Sequence, residues 1–134
     1  MQLLDKIILY DRLKIEDSRG YFLKVITGFE SHFSIDTCEV YLTMAYPGES
    51  KGGHFHPLAN EWFTLLEGEC VLKLVDVLTK EVHEIYLDSA KPMTVYVPSG
   101  IAHSFCNMSD SQSFLLLAFT DRQYDSSDTI SYNL

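Results

Sequence analysis

A chain of 134 residues is the size of one domain, and 46% hydrophobic with 22% charged residues is the composition of a folded globule rather than a disordered segment. Nineteen acidic against ten basic residues leave a net charge of −9. Non-specific nucleic-acid binding and attachment to an anionic membrane surface both need a cationic face, so this balance argues against both.

No stretch reaches the roughly 18 apolar residues of a membrane helix, and Met1–Tyr10 interrupts its apolar run with Asp5 and Lys6, unlike a secretory leader. The three cysteines, Cys38, Cys70 and Cys106, are widely spaced with no Cys-x-x-Cys. Free thiols in a soluble, cytoplasmic protein are therefore expected, in one domain spanning residues 1–134.

In chain order, β-branched and aromatic runs predict strands over Ile7–Tyr10, Tyr21–Thr27, Glu39–Ala45, Glu61–Leu66 and Cys70–Val77, then Val82–Leu87, Thr94–Val97, Ser104–Met108 and Ser113–Thr120. Turn residues separate them: Ser18-Arg19-Gly20, Tyr46-Pro47-Gly48, Glu67-Gly68, Asp88-Ser89, Pro98-Ser99-Gly100 and Ser109-Asp110-Ser111. Leu78-Thr79-Lys80 reads as a hairpin turn, and Gly28–Phe33 as a short turn of helix. Short strands at near-regular spacing predict an all-β sandwich or barrel.

Four metal-ligand types fall in two stretches. His54 and His56 are one residue apart, which on a strand places both imidazoles on one face about 7 Å apart along the chain. Glu61 opens the following strand, and His103 follows Pro98-Ser99-Gly100. Three imidazoles and a carboxylate suit Zn²⁺, Fe²⁺, Mn²⁺, Ni²⁺ or Co²⁺ with a position left for water or substrate. His32 and His83 lie outside these stretches and are expected in solvent, while Trp62 and Phe63 are expected to pack.

The spacing Gly48, His54-x-His56, Glu61, Gly68 resembles the first cupin motif, and Pro98, Gly100, His103 and Asn107 resemble the second, with Pro92 standing where that motif has its leading glycine. The resemblance implies a cupin double-stranded β-helix, or jelly-roll barrel, with the site in its mouth. The segment Asp17-Ser-Arg19-Gly20-Tyr-Phe22 resembles the opening of dTDP-4-dehydrorhamnose 3,5-epimerases, and Lys51-Gly-Gly-His54 resembles their Arg-Gly-x-His segment. Gly52–His56, Glu61-Trp-Phe63, Val97–Phe105 and the tail Phe119–Asp125 are similar to small polysaccharide-biosynthesis cupins described as sugar epimerases.

That likeness implies a nucleotide-sugar epimerase acting beside the ketone of a nucleotide-linked 4-keto-6-deoxyhexose, in O-antigen, capsule or lipopolysaccharide synthesis. His54 matches the family base. Arg19 matches a substrate-binding arm, and Lys51 stands where the family has arginine. The stretch Leu115–Phe119, which matches the family's tyrosine acid, holds no tyrosine. Tyr41 is thus the candidate proton donor, and Lys51 or a metal the oxyanion partner.

A nitrogen bound to metal cannot also be a free base, so His54 is either ligand or base. No redox cofactor is needed, and no dinucleotide-binding glycine turn is present. A sugar 3,4-ketoisomerase, a metal-dependent cupin oxygenase and a non-catalytic sugar-binding barrel are the alternatives. Open sheet edges predict a homodimer that exchanges the strand Ile7–Tyr10 and the Arg19 arm.

Overall fold

The structure is a computed structural model and describes all residues except Ile35 and Thr37. Two five-stranded antiparallel sheets face one another. One holds β1 (Ile8–Asp11), β9 (Met93–Val97), β6 (Glu61–Glu67), β11 (Phe114–Thr120) and β4 (Glu39–Ala45), in that order. The other holds β12 (Ile130–Ser131), β5 (Ser50–Phe55), β10 (Ile101–Cys106), β7 (Glu69–Asp76) and β8 (Val82–Asp88). A separate hairpin pairs β2 (Lys14–Asp17) with β3 (Gly20–Leu23). This is the double-stranded β-helix that the cupin resemblance implies.

The pleat decides the core. Along β11, Phe114, Leu116, Ala118 and Thr120 turn inward and are buried, whereas Leu115, Leu117 and Phe119 are half-buried outside. The inward residues meet Phe63 and Leu65 of β6, Leu72 and Leu74 of β7, Val95 and Val97 of β9 and Phe105 of β10. Leu3, on a one-turn helix α1 (Leu3–Lys6), and Ile7 join this core. Gly68 is required in the β6–β7 turn: its φ is +86°, and a Cβ there would meet the Ser113 carbonyl oxygen at 2.8 Å. Asn107 is structural too. Its buried amide donates to the Ala45 and Gln112 carbonyls and accepts from the Ser109 N–H.

Several elements depart from the sequence expectation: β2 and β5 are strands it did not contain, and β10 runs over Ile101–Cys106 instead of Ser104–Met108. The strand predicted over Tyr21–Thr27 stops at Leu23, and the chain leaves the hairpin to cross the outer face of the first sheet. Gly28–Phe33 forms no helix, because the Glu30 carboxylate accepts the Thr27 and Gly28 N–H groups and folds the segment back on itself. Phe33 then covers Trp62 and Phe119 on the outer face. The N-terminal strand pairs with β9 of its own chain, with Ile8 opposite Tyr96. Apolar content marks a strand but does not say which chain supplies its partner.

All three cysteines are free. Burial pushes the Cys70 thiol up to about 12, which makes it an inert core group. Among the described residues no helix is long and apolar enough to cross a membrane.

Candidate active site

The site lies at the seam of the two sheets, at one end of the barrel. β6 of the first sheet supplies Glu61. The second sheet supplies His54 from β5, His56 just beyond it and His103 from β10. One ligand atom from each of the four can be chosen so that all lie within 4.8 Å of one another. Local backbone geometry makes this possible. Gly52 has φ +97°, and a Cβ there would meet the His103 carbonyl oxygen at 2.7 Å, so only glycine lets β5 approach β10 this closely. The register shifts there, and His54 comes to lie opposite His103 with ring centroids 5.0 Å apart.

Two of the three imidazoles have a fixed orientation. His56 Nδ1 lies 2.8 Å from the Asp128 carbonyl oxygen, and His103 Nδ1 lies 3.0 Å from the Ile101 carbonyl oxygen. A carbonyl can only accept, so both rings carry their proton on Nδ1. The Nε2 lone pairs then face Glu61 Oε1, at 2.9 Å from His56 and 3.4 Å from His103. The geometry between His56 Nε2 and Glu61 Oε1 is not that of a hydrogen bond, and both atoms are buried without a hydrogen-bond partner.

Acceptors that face one another need either a second proton on each ring or a cation among them. Ligand atoms about 2.1 Å from a common ion lie about 3 Å apart in an octahedron and about 3.4 Å apart in a tetrahedron. These spacings, the orphaned atoms and the carbonyl-anchored imidazoles fit a divalent metal.

The electrostatics follow from burial and from the shared carboxylate. Burial alone would raise the Glu61 carboxyl, but His103 and His56, once each carries a second proton on Nε2, outweigh it by donating to the carboxylate and by their charge, and hold Glu61 well below the usual carboxylate range. Burial alone would lower His56, yet Glu61 and the Asp128 carbonyl leave it above its ordinary value. His54 differs. Burial, then the neighbouring His103 and His56, lower it to about 4, and its ring makes no hydrogen bond among the described residues. It is therefore neutral near pH 7 with a free nitrogen. The Tyr41 hydroxyl donates to Glu61 Oε2 at 3.1 Å, and burial followed by the Glu61 charge raises the phenol well above its ordinary value.

Two cavities meet at His54 and Tyr41. One of about 290 Å³ opens past His56 and Glu61 to the C-terminal tail, where Arg122, Gln123 and Tyr124 line it. The other, about 260 Å³, runs inward past Lys51, Thr43, Phe63 and Phe105. Of the residues singled out from sequence, Tyr41, Lys51, His54, His56, Glu61 and His103 come together here. Arg19 does not. It sits at the tip of the β2–β3 hairpin, highly exposed and paired with Asp17 at 2.6 Å, and it lines neither cavity.

Sequence reasoning missed the tail as a wall of the site. The available signal was Asp125-Ser-Ser-Asp128, a capping pattern in which Asp125 accepts from the Ser127 N–H and hydroxyl to start the 3₁₀ turn Ser126–Asp128. His32 stacks on Tyr96 and His83 lies 3.3 Å from Glu81, both outside the site.

The family described as polysaccharide biosynthesis C-terminal domain matches residues 15–132. The chain is 28% identical over 109 residues to a UDP-2-acetamido-2,6-beta-L-arabino-hexul-4-ose reductase of Pseudomonas aeruginosa, covering 81% of this chain and 27% of that protein. It superposes on the capsular polysaccharide assembling protein CapF of Staphylococcus aureus with a TM-score of 0.69 at 27% identity, covering 93% of this chain and 33% of that one. It thus spans about a quarter to a third of these two relatives. The fold is also that of QdtA, a sugar 3,4-ketoisomerase from Thermoanaerobacterium thermosaccharolyticum, with a TM-score of 0.78 at 19% identity and 96% and 89% of the two chains covered.

Proposed function

Since the chain belongs to the polysaccharide biosynthesis C-terminal domain family, we propose that it is a nucleotide-sugar epimerase acting beside the ketone of a nucleotide-linked 4-keto-6-deoxyhexose. The observation that carries this reading is the unengaged, neutral imidazole of His54, which lines both cavities. A hydrogen on the carbon next to a ketone is acidic because the resulting carbanion is an enolate. Epimerisation needs a base to remove it, a donor to return a proton to the other face and a partner for the enolate oxygen.

His54 takes the proton. Its low pKa keeps it unprotonated at neutral pH, and enolate charge developing beside it favours the imidazolium once it forms. Tyr41 stays a protonated phenol at any physiological pH and returns a proton. Glu61 fixes the direction of that hydroxyl. Lys51 faces the inner cavity and can pair with an anionic oxygen, and Arg122 at the outer cavity supplies a guanidinium suited to a diphosphate. His56, Glu61 and His103, joined by His54 when it is not the base, would hold a divalent cation. When bound, such a cation supplies Lewis-acid stabilisation of an oxyanion.

One observation favours a second reading. Tyr41 and the histidine cluster share a single carboxylate, an arrangement that also suits proton relay between neighbouring carbons, as a 3,4-ketoisomerase requires. Proton exchange in D₂O with a panel of nucleotide-linked 4-keto-6-deoxyhexoses tests both. Deuterium incorporation with the ketone retained supports epimerisation, and migration of the ketone to the next carbon supports ketoisomerisation. A wild-type protein that exchanges nothing but consumes oxygen when loaded with Fe²⁺ is an oxygenase instead.

The assembly is a two-fold dimer in this reading. The hairpin exposes Ile15, Tyr21 and Phe22, and the edge strand β4 exposes Val40, Leu42 and Met44, apolar surfaces that a second copy would cover. Sedimentation that finds only monomer at micromolar concentration overturns it.

A further inference from the structure

The tail beyond β11 is tied to the site at several levels. β12 pairs with β5, with Ser131 opposite His54, and the Tyr132 N–H donates to the Gly53 carbonyl at 2.9 Å. Glu39 accepts the Tyr124 N–H across the cavity mouth. The centre of this strap is Asp128, whose residue is only 7% exposed. One carboxylate oxygen accepts the Leu58 N–H at 2.8 Å and the other the Ala59 N–H at 3.0 Å. The same residue's backbone carbonyl accepts His56 Nδ1–H at 2.8 Å. Asp128 therefore grips the loop that follows His56 with its side chain and holds the imidazole with its main chain.

We infer that Asp128 is a positioning residue: by anchoring the 3₁₀ turn to the 57–59 loop it sets the tautomer and orientation of His56, so that Nε2 faces Glu61 and the centre of the site. The inference rests in part on the metal reading above. Its physical basis is that a buried carboxylate satisfied by two backbone donors is costly to dislodge. The Asp128 carbonyl is therefore held within hydrogen-bond reach of His56 whether or not a ligand is bound. Thr129 Oγ1, 3.5 Å from the same Nδ1, is the nearest substitute acceptor and is too distant to hold the ring as well.

Asp76 provides the matched comparison. It is also buried and its carboxylate also accepts turn N–H groups, those of Leu78 and Thr79, but it pairs with Lys6 and lines no part of the site. The experiment compares wild type, Asp128→Asn, Asp128→Ser (which keeps one acceptor) and Asp76→Asn. Two readouts are used: Zn²⁺ affinity by competition with a chromophoric chelator, and the ¹⁵N spectrum of histidine-labelled, metal-free protein.

The expected result is that both Asp128 variants bind Zn²⁺ roughly 10- to 100-fold more weakly, the range for lost support of a ligand imidazole. They should also lose the protonated-Nδ1 signal of His56. Asp76→Asn should lower the unfolding midpoint while leaving both readouts unchanged. Folded Asp128 variants that keep wild-type Zn²⁺ affinity and the Nδ1–H signal overturn the inference, as does an equal loss in Asp76→Asn. If wild type binds no Zn²⁺, the metal reading fails on its own, and the tautomer signal alone decides the role of Asp128.

Discussion

Glu30 and Glu61 are both buried acids in an all-β chain, and their surroundings separate structure from function. Glu30 is saturated. It accepts the Thr27 and Gly28 N–H groups and the Thr27 hydroxyl, and it pairs with Arg12, which also donates to Thr94. Burial would raise its carboxyl, but these donors overcome that and lower it to about 2. The clasp fastens the segment that covers Trp62. Glu61 also has a carboxyl held low, yet its Oε1 is buried beside the Nε2 atoms of two imidazoles and forms no hydrogen bond. A buried carboxylate with every oxygen satisfied holds the fold. One left with an unmatched oxygen beside three histidines is poised for a ligand.

The sharpest way to break this contrast is at the site. His54→Asn keeps similar size and a polar contact but cannot take up a proton near neutral pH. Deuterium incorporation beside the substrate ketone should fall by about 10²–10⁴-fold, with the far-UV spectrum unchanged. Exchange at near-wild-type rate would remove His54 as the base.

Next comes the clasp. Arg12→Met leaves Glu30 buried without its cation and should cost about 3–5 kcal/mol in urea unfolding, while exchange and metal affinity in the folded protein stay as they are. In metal-free protein Glu61→Gln should cost less than Arg12→Met. Equal losses would erase the distinction between the two carboxylates.

The clasp also has a pH signature. A carboxyl lowered from the usual 4.5 to about 2 contributes stability that is complete above pH 4.5 and is lost as the pH falls through about 2. The loss should be about 3 kcal/mol. In the double variant Arg12→Met/Glu30→Gln this part of the acid destabilisation should vanish from the unfolding curves. Its persistence would place the acid-sensitive group elsewhere.

The smallest effects belong to the cavity rim. Tyr41→Phe should slow reprotonation more than proton removal, so that exchange outlasts product formation in single-turnover measurements. Lys51→Ala should weaken nucleotide binding by about fivefold at most, as fits one exposed ion pair. A larger loss would make Lys51 a principal anchor.

Spacing and pattern made most of this molecule legible in the sequence. His54-x-His56, Glu61 and His103 announced a convergent cluster because alternation on a strand puts i and i+2 on one face. The runs of β11 and β7 announced a core because they alternate or stay apolar throughout. Residues with no pattern of their own escaped. β5 carries no strand signal in the sequence, since Ser50-Lys-Gly-Gly53 lacks β-branched residues, and its glycines serve the close approach to His103 rather than strand propensity. Gly28–Phe33 looked helical because its local composition does not reveal that Glu30 will take the backbone donors.

What the sequence by itself determined was the fold class and the inventory of the site, because hydrophobic periodicity and ligand spacing are local properties of the chain. Tertiary structure alone decided how that inventory is used. It left Arg19 at an exposed hairpin tip outside both cavities of its own chain, placed Tyr41 on the same carboxylate as His56, and returned the tail to fix His56 through Asp128. The Tyr41 and Asp128 placements depend on contacts between residues 20 to more than 70 positions apart. The register and packing of two facing sheets choose such contacts, and no local preference of the chain encodes them.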